Sequence, residues 1–483
     1  MCDSKEELKA KTIKGFFWRF GERISSQVVS FVVSVVLARL LEPNEYGVVA
    51  LTMVFISIAS CFAISGLGTS LIQKKKADEL DFSTMFHAGL AISIFIYAVL
   101  FSLAHYIGEI YHDHQVASIL KVLGLILPIS SVQSIQQAYV SRQLDFRKFF
   151  YATFLGTIIS GLIGIMMAYS GFGVWSLVGQ QISNVVVNTI ILGIVIDWHP
   201  QWKFSFKRFR ELYSFGVKLM GAQLLGTTFN ELKSFVIGVK YAPADLAFFN
   251  RGESLPSMIA GNVNNTINAV LFPAISKVQD NKQQVKLAIR RSIMTSSYVM
   301  IPIMFMLTAM SDKIVMVLFT EKWMPCVPFM QVLCLNHCVN ILGTTNLQAF
   351  NAVGRSDITL KLEFIKKPLF LLMLFYTMTI GPLAIAIGNL LYGILATAIN
   401  AWPNRSLICY KYSEQISDFA PSLLLSAMMM IVIYMIGFLE INIYILLLLQ
   451  VVIGISFYIT ISKLLSFNSY HYIVSIIKSY ISK

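Results

Sequence analysis

The side chains with chemical potential in this sequence are charged groups set inside apolar stretches. In the stretch from 15 to 41, Arg19, Glu22 and Arg23 follow i, i+3, i+4 spacing, and Ser26, Ser30 and Ser34 continue the same helical face. The stretch from 213 to 238 carries Lys218, Asn230, Glu231 and Lys233. The next, from 245 to 274, carries Asn250, Arg251 and Glu253, then Ser254, Ser257, Gly261, Asn265 and Asn268 at helical intervals. Ionisable groups in apolar helices are costly, so they mark a hydrated pathway or a buried pair. A cavity holding Arg19, Arg23, Arg251 and Lys218 suits an anion, because guanidinium can grip phosphate oxygens bidentately and orient a diphosphate. Glu22, Asn250, Glu253, Glu231 and Asn265 are the accompanying polar or ion-coupling candidates. The plainer reading is that Arg19 and Arg23 snorkel or pair with Glu22, that Arg251 pairs with Glu253 or lipid headgroups, and that Lys218, Glu231 and Lys233 pair between helices.

The elements that must position these groups are membrane spans. Of 483 residues, 56% are hydrophobic and 13% charged, against roughly a quarter charged in an ordinary soluble domain. Apolar runs and breaks place about fourteen spans, near 15–41, 46–69, 83–106, 116–140, 150–170, 174–196, 213–238, 245–274, 288–310, 325–351, 359–379, 382–402, 418–438 and 442–463. Basic residues alternate between connections. Lys74 to Lys76, Arg142, Arg147 and Lys148, Lys203 to Arg210, Lys277 to Arg291, Arg355, and Arg405 with Lys411 all fall on one side. The opposite connections carry few, Lys240, Lys313 and Lys322 being the main exceptions. The positive-inside rule therefore puts both termini in the cytoplasm of a multi-pass inner-membrane protein. The net charge of +13 is dispersed among these loops, which reads as topology and not as nucleic-acid binding. The first apolar stretch has no cleavage site and is expected to remain as a span.

A weak internal repeat organises the spans. Leu41-Glu42-Pro43-Asn44-Glu45-Tyr46-Gly47 is echoed by Tyr241-Ala242-Pro243-Ala244-Asp245-Leu246-Ala247, and Val122-Leu123 with Gln137-Ala138-Tyr139 by Val332-Leu333 with Gln348-Ala349-Phe350. Both echoes lie six spans apart, which predicts two pseudo-symmetric six-helix bundles around a central cavity. The division is a cytoplasmic N-terminus at 1–14, six-helix halves at 15–212 and 213–417, two appended helices at 418–463 and a cytoplasmic tail at 464–483, which is either a short interfacial helix or disordered.

The remaining signals are structural or negative. Cys2, Cys61, Cys326, Cys334, Cys338 and Cys409 lack disulfide spacing, and packing is a better reading of Cys334, His337 and Cys338 than a metal site that lacks a fourth ligand. Gln180, Gln181, Asn184 and Asn188, and Asn336, His337, Asn340 and Asn346, suit interhelical hydrogen bonds. His87 and His337 lack an identified carboxylate partner for proton relay, and Glu363, Lys366 and Lys367 read as boundary anchors. There is no P-loop, and no loop is long enough for a catalytic domain. A non-enzymatic protein without catalytic residues, metal or cofactor is expected, with H+ or Na+ left open as coupling ion.

Lys14-Gly15-Phe16-Phe17-Trp18, the 40–47 turn, Gly66-Leu67-Gly68, Phe249-Asn250-Arg251-Gly252, Leu271 to Lys277 and Leu318-Phe319-Thr320-Glu321-Lys322-Trp323 together resemble the polysaccharide exporters of the MOP superfamily. The resemblance covers essentially the whole chain and is nearest to the Wzx-type branch. It implies a MATE-like all-α fold whose two bundles rock about a cavity, and a substrate of undecaprenyl-diphosphate-linked oligosaccharide for O-antigen, capsule or exopolysaccharide. It carries Arg23 and Arg251 over as diphosphate contacts. Implied partners are the lipid-linked substrate, membrane lipids, a polymerase and chain-length machinery, the chain itself being a monomer. The second half matches less well, since Leu246-Ala247 stands where glycine is common. Rival readings are a lipid-linked peptidoglycan precursor flippase, a multidrug antiporter of the same superfamily, whose cationic drugs call for cavity carboxylates, and a membrane glycan-assembly enzyme, which the short outer loops disfavour.

Overall fold

A computed structural model describes residues 2–111, 113–276, 278 and 281–481, with the side chains of 2–14, 16–17, 266–270, 272–274, 356, 476–477 and 479–481 not described. Lys277 and the side chains of Cys2 and Asn268, singled out above, lie outside what is described. The described residues are mostly helical and contain no strand. Eleven helical segments are long and apolar enough to cross a membrane by length and composition. Three further long helices occupy the positions of spans seven, eight and eleven. They are more polar than the eleven: the first carries Lys218, Glu231 and Lys233, the second Arg251 and Glu253 with four asparagines beyond them, and the third Glu363, Lys366 and Lys367. All fourteen spans are thus present as helices, in a multi-pass membrane protein.

The chain forms two compact units, Met1–Ala247 and Phe248–Lys483. The first contains α1 (Cys2–Leu40), α2 (Pro43–Ala63), α3 (Leu67–Gln73), α4 (Glu79–Ile110), α5 (His114–Leu123), α6 (Ile126–Gln143), α7 (Arg147–Tyr169), α8 (Val174–Val195), α9 (Phe206–Lys240) and the start of α10 (Pro243–Ser276). Within it α1 packs along α7, α7 along α8, and α9 along α2, α3 and α4. This compact division differs from the repeat-based division at 212, because α9 is held on the first unit by small and aromatic residues. A Cβ at Gly238 would fall 2.0 Å from Leu51, and one at Gly66 (φ +83°) 2.4 Å from the Gly216 carbonyl. Phe55 meets Phe235 edge-on at 6.1 Å. Small residues that let backbones approach are the usual means of helix association in lipid, where apolar burial supplies little drive.

The second unit holds the rest of α10, then α11 (Lys282–Phe319), a 3-10 turn (Glu321–Cys326), α12 (Val327–Ala352), α13 (Ser356–Thr377), α14 (Pro382–Ala401), α15 (Asn404–Leu407), α16 (Tyr412–Ile436), α17 (Ile443–Leu464) and α18 (Asn468–Ile481). α11 packs against α12 and α16, α14 against α12 and α13, and α17 against α16. The tail forms α18, a helix packed on α11 and α17. Large side chains such as Phe95, Leu372 and Leu448 are mostly exposed, an outward-facing apolar surface suited to lipid.

The two repeated turns share one local geometry. Each starts a helix with proline, which fits the first helical turn because its missing N–H would have no partner there. The acid two residues on accepts from the residue before the proline: Glu42 N donates to Glu45 Oε2 at 2.8 Å, and Ala242 N to Asp245 Oδ2 at 3.2 Å. The two turns also touch, since a Cβ at Gly47 would fall 1.9 Å from the Pro243 carbonyl oxygen.

Candidate functional site

On α1, Arg19 Nη1 lies 2.8 Å from Glu22 Oε2, and the Arg19 guanidinium sits 4.5 Å from the Phe149 ring centre on α7. Glu22 is buried and Arg19 half exposed. Two members of the stripe thus satisfy each other and dock on an aromatic ring. Arg23, one step round the helix, is exposed and makes no ion pair among the described residues. On α9, Lys218 is exposed, also without an ion pair among the described residues, whereas Glu231 is half-buried and engaged. The charged stripes of spans one and seven therefore sit on helices with different neighbours.

On α10, Arg251 is buried to 9% exposure, with its guanidinium 4.8 Å from the Phe319 ring centre and 4.9 Å from that of Trp323, which is fully buried. The next residue fixes this placement. A Cβ on Gly252 would meet Met330 N and Phe329 Cβ at 2.8 Å, so only glycine lets α10 press against the start of α12. Phe248 meets Trp323 at 6.0 Å and Phe249 meets Phe329 at 6.0 Å. Asn250 and Glu253 are half-buried and Asn265 is exposed. The site candidates are thus a paired Arg19–Glu22, two exposed cations, Arg23 and Lys218, and one fixed cation clamped on aromatic faces. Such cations can attract and orient an anion.

Interhelical hydrogen bonds occupy several of the other polar residues. Asn184 Nδ2 donates to Ser160 Oγ at 3.1 Å, and Asn346 Nδ2 to Gln415 Oε1 at 2.8 Å. His87 Nδ1 lies 2.7 Å from the Ser83 carbonyl one turn back, so as a donor it is locally occupied. Cys61, Cys326, Cys334 and Cys338 are buried free thiols and Cys409 is exposed. Among the described residues no three His, Cys, Asp or Glu side chains converge as metal ligands.

Two ionic clusters at helix ends escape a span-by-span reading, because their members are far apart in sequence. In the first unit, Asp78 and Asp81 cap α4, Lys74 bonds Asp81 at 2.9 Å, and Arg208 bonds both acids. The hydrogen bond from Arg208 holds the Asp78 carboxyl down at about 2. In the second unit, Lys286 bonds Glu414 at 2.6 Å and Arg290 bonds Asp418 at 2.8 Å, while Tyr410 Oη donates to Asp418 Oδ2 at 2.8 Å. Burial, with Asp418 beside it, pushes Tyr410 up. The sequence reads the basic members as topology markers, and the spacing of Asp78 and Asp81 signals a helix cap but not the Arg208 that reaches them.

The family model described as "Polysaccharide biosynthesis protein" matches residues 36–328, well over half the chain. The chain is 27% identical over 411 residues to an uncharacterized membrane protein in the cps region of Klebsiella pneumoniae, covering 82% of this chain and 81% of that protein. It is 23% identical over 355 residues to the succinoglycan biosynthesis transport protein ExoT of Rhizobium meliloti (strain 1021), covering 73% and 71%. Its fold is that of a solved lipid II flippase, MurJ, in an inward closed conformation, with TM-score 0.75, 14% identity, and coverage of 94% of this chain and 98% of that one.

Proposed function

This chain belongs to the polysaccharide biosynthesis protein family, and from that premise we propose that it is a flippase. Its substrate is an undecaprenyl-diphosphate-linked oligosaccharide repeat unit for O-antigen, capsule or exopolysaccharide, moved across the bacterial inner membrane by alternating access. The observation that supports this most is a conjunction: sequence kinship to polysaccharide biosynthesis and transport proteins, on a backbone that follows a lipid II flippase over 94% of this chain.

The chemistry required is small. A sugar and diphosphate head must leave water on one face and reach it on the other while its prenyl tail stays in lipid, and no bond is made or broken. The chain therefore acts as a transporter and not as an enzyme. In the first unit Arg23 and Lys218 are the exposed cations for the diphosphate; in the second, Arg251, Asn250 and Asn265 are the polar candidates along α10. Glu22, Glu231 and Glu253 are the carboxylates through which an H+ or Na+ gradient would couple. Both termini lie in the cytoplasm, and a monomer passes its cargo to the polymerase and chain-length machinery. A second reading, a lipid-linked peptidoglycan precursor, is favoured by the fold similarity and needs the same diphosphate contacts.

In cells, Arg23→Ala or Arg251→Ala with normal membrane insertion is expected to block surface polysaccharide and leave its lipid-linked precursor inside. Normal surface polymer in both variants removes the proposed site. Rescue of a peptidoglycan precursor flippase deficiency in place of polymer export selects the second reading.

A further inference from the structure

Between α8 and α9 the chain runs Ile196-Asp197-Trp198-His199-Pro200-Gln201-Trp202-Lys203-Phe204-Ser205 as a strap without helix. It is pinned at three points to the start of α4. Trp198, nearly buried, packs at 5.7 Å on Phe82, 6.1 Å on Phe86 and 6.0 Å on Tyr139. Gln201 N donates to Ser83 Oγ at 3.0 Å, and Ser205 N to Thr84 Oγ1 at 3.2 Å. Between and beyond these pins the strap and the first residues of α9 turn aromatic rings outward: Trp202 is 96% exposed, Phe204 52% and Phe206 70%. Trp202 leans on His87 at 5.6 Å, and Phe204 and Phe206 on Phe209 at 6.2 and 6.0 Å, yet more than half of each residue stays outside and needs an amphipathic surrounding.

The charges beside those rings identify that surrounding. The acids of the region are already engaged: Asp78 and Asp81 with Arg208, Glu79 with Gln201, Asp197 with Lys148, and Glu211 with Lys74. Lys203, Lys207 and Arg210 are exposed and form no ion pair among the described residues. Uncompensated positive charge interleaved with tryptophan and phenylalanine matches the headgroup zone of a bilayer, where rings sit at the acyl boundary and basic groups meet phosphates.

We propose that residues 202–210 form a binding site for anionic phospholipid, with Trp202, Phe204 and Phe206 in the headgroup boundary and Lys203, Lys207 and Arg210 on the lipid phosphates. The proposal needs only that the chain spans a bilayer and is independent of what it transports.

The test uses the full chain in phosphatidylcholine nanodiscs containing, at equal mole fraction, either brominated phosphatidylglycerol or brominated phosphatidylcholine. Tryptophan quenching in the parent minus that in Trp202→Phe isolates Trp202. The brominated phosphatidylglycerol is expected to quench Trp202 at least about twofold more. That advantage should vanish in Lys203→Gln/Lys207→Gln/Arg210→Gln and in the parent at high salt, where exposed charges are screened. The salt arm needs no variant that could misfold. Equal quenching by the two lipids, a preference that survives both treatments, or no quenching above the Trp202→Phe background would each overturn the proposal.

Discussion

The guanidinium carbon of Arg251 lies 4.9 Å from the centre of the Trp323 ring, joining two motifs more than sixty residues apart in the chain. A buried cation is costly unless something replaces water around it. The faces of Trp323 and Phe319 do so here, and Gly252 holds the helix close enough for the contact.

If that clamp stabilises the fold, Arg251→Lys should lower stability despite keeping the charge, because an ammonium cannot stack as a planar guanidinium does. Thermal unfolding of Arg251→Lys, Trp323→Leu and the double variant should show a coupling of up to about 2 kcal/mol, the size of a desolvated cation–π contact. Strictly additive losses would mean that the two residues act separately.

The contact of the two repeated turns gives a second expectation. Gly47→Ala would drive a methyl into the Pro243 carbonyl at 1.9 Å, whereas the space around Gly21 is open for 4 Å. Gly47→Ala should cost roughly 2 kcal/mol or more, since overpacking against backbone has no cheap relief, and Gly21→Ala should be neutral or slightly stabilising. Equal melting temperatures for the two variants would contradict the close approach.

A third concerns the fully buried amide chain of Asn404, Asn346 and Gln415, in which Asn346 accepts from Asn404 and donates to Gln415. Asn346→Leu strands both neighbours, and unsatisfied buried polar groups cost about 1–3 kcal/mol each. A clear drop in the unfolding midpoint is expected; no drop would show that the neighbours find other partners.

Apolar run lengths and their breaks place helix at each of the fourteen spans, α9, α10 and α13 included, despite the charges and amides that those three carry. The site was legible only in part. Spacing identified Arg19 and Glu22 as one-face neighbours and left open whether they pair. It gave no warning that Arg251 would face Trp323, because ring contacts between distant helices leave no local pattern. The partner of the α4 cap acids was missed for a similar reason. The spacing of Asp78 and Asp81 signals a cap but not the Arg208 that reaches them.

That cluster gives the pH expectation. The folded value of Asp78, about 2, lies below its ordinary 3.8, so its contribution is complete above about pH 4 and is lost as pH falls toward 2. Between pH 5 and 8 it adds no slope. The stability gap between the parent and Asp78→Asn should be full at pH 7 and shrink by pH 3; a gap independent of pH would exclude the Arg208 bond as its source.

The central claim is translocation without chemistry, and reconstitution tests it most directly. Purified protein in vesicles loaded on one leaflet with an undecaprenyl-diphosphate-linked oligosaccharide is expected to expose it on the other leaflet, intact and at a rate that falls in Arg23→Ala. Appearance of new glycosidic bonds, or no movement above protein-free vesicles while the protein remains folded, would contradict it.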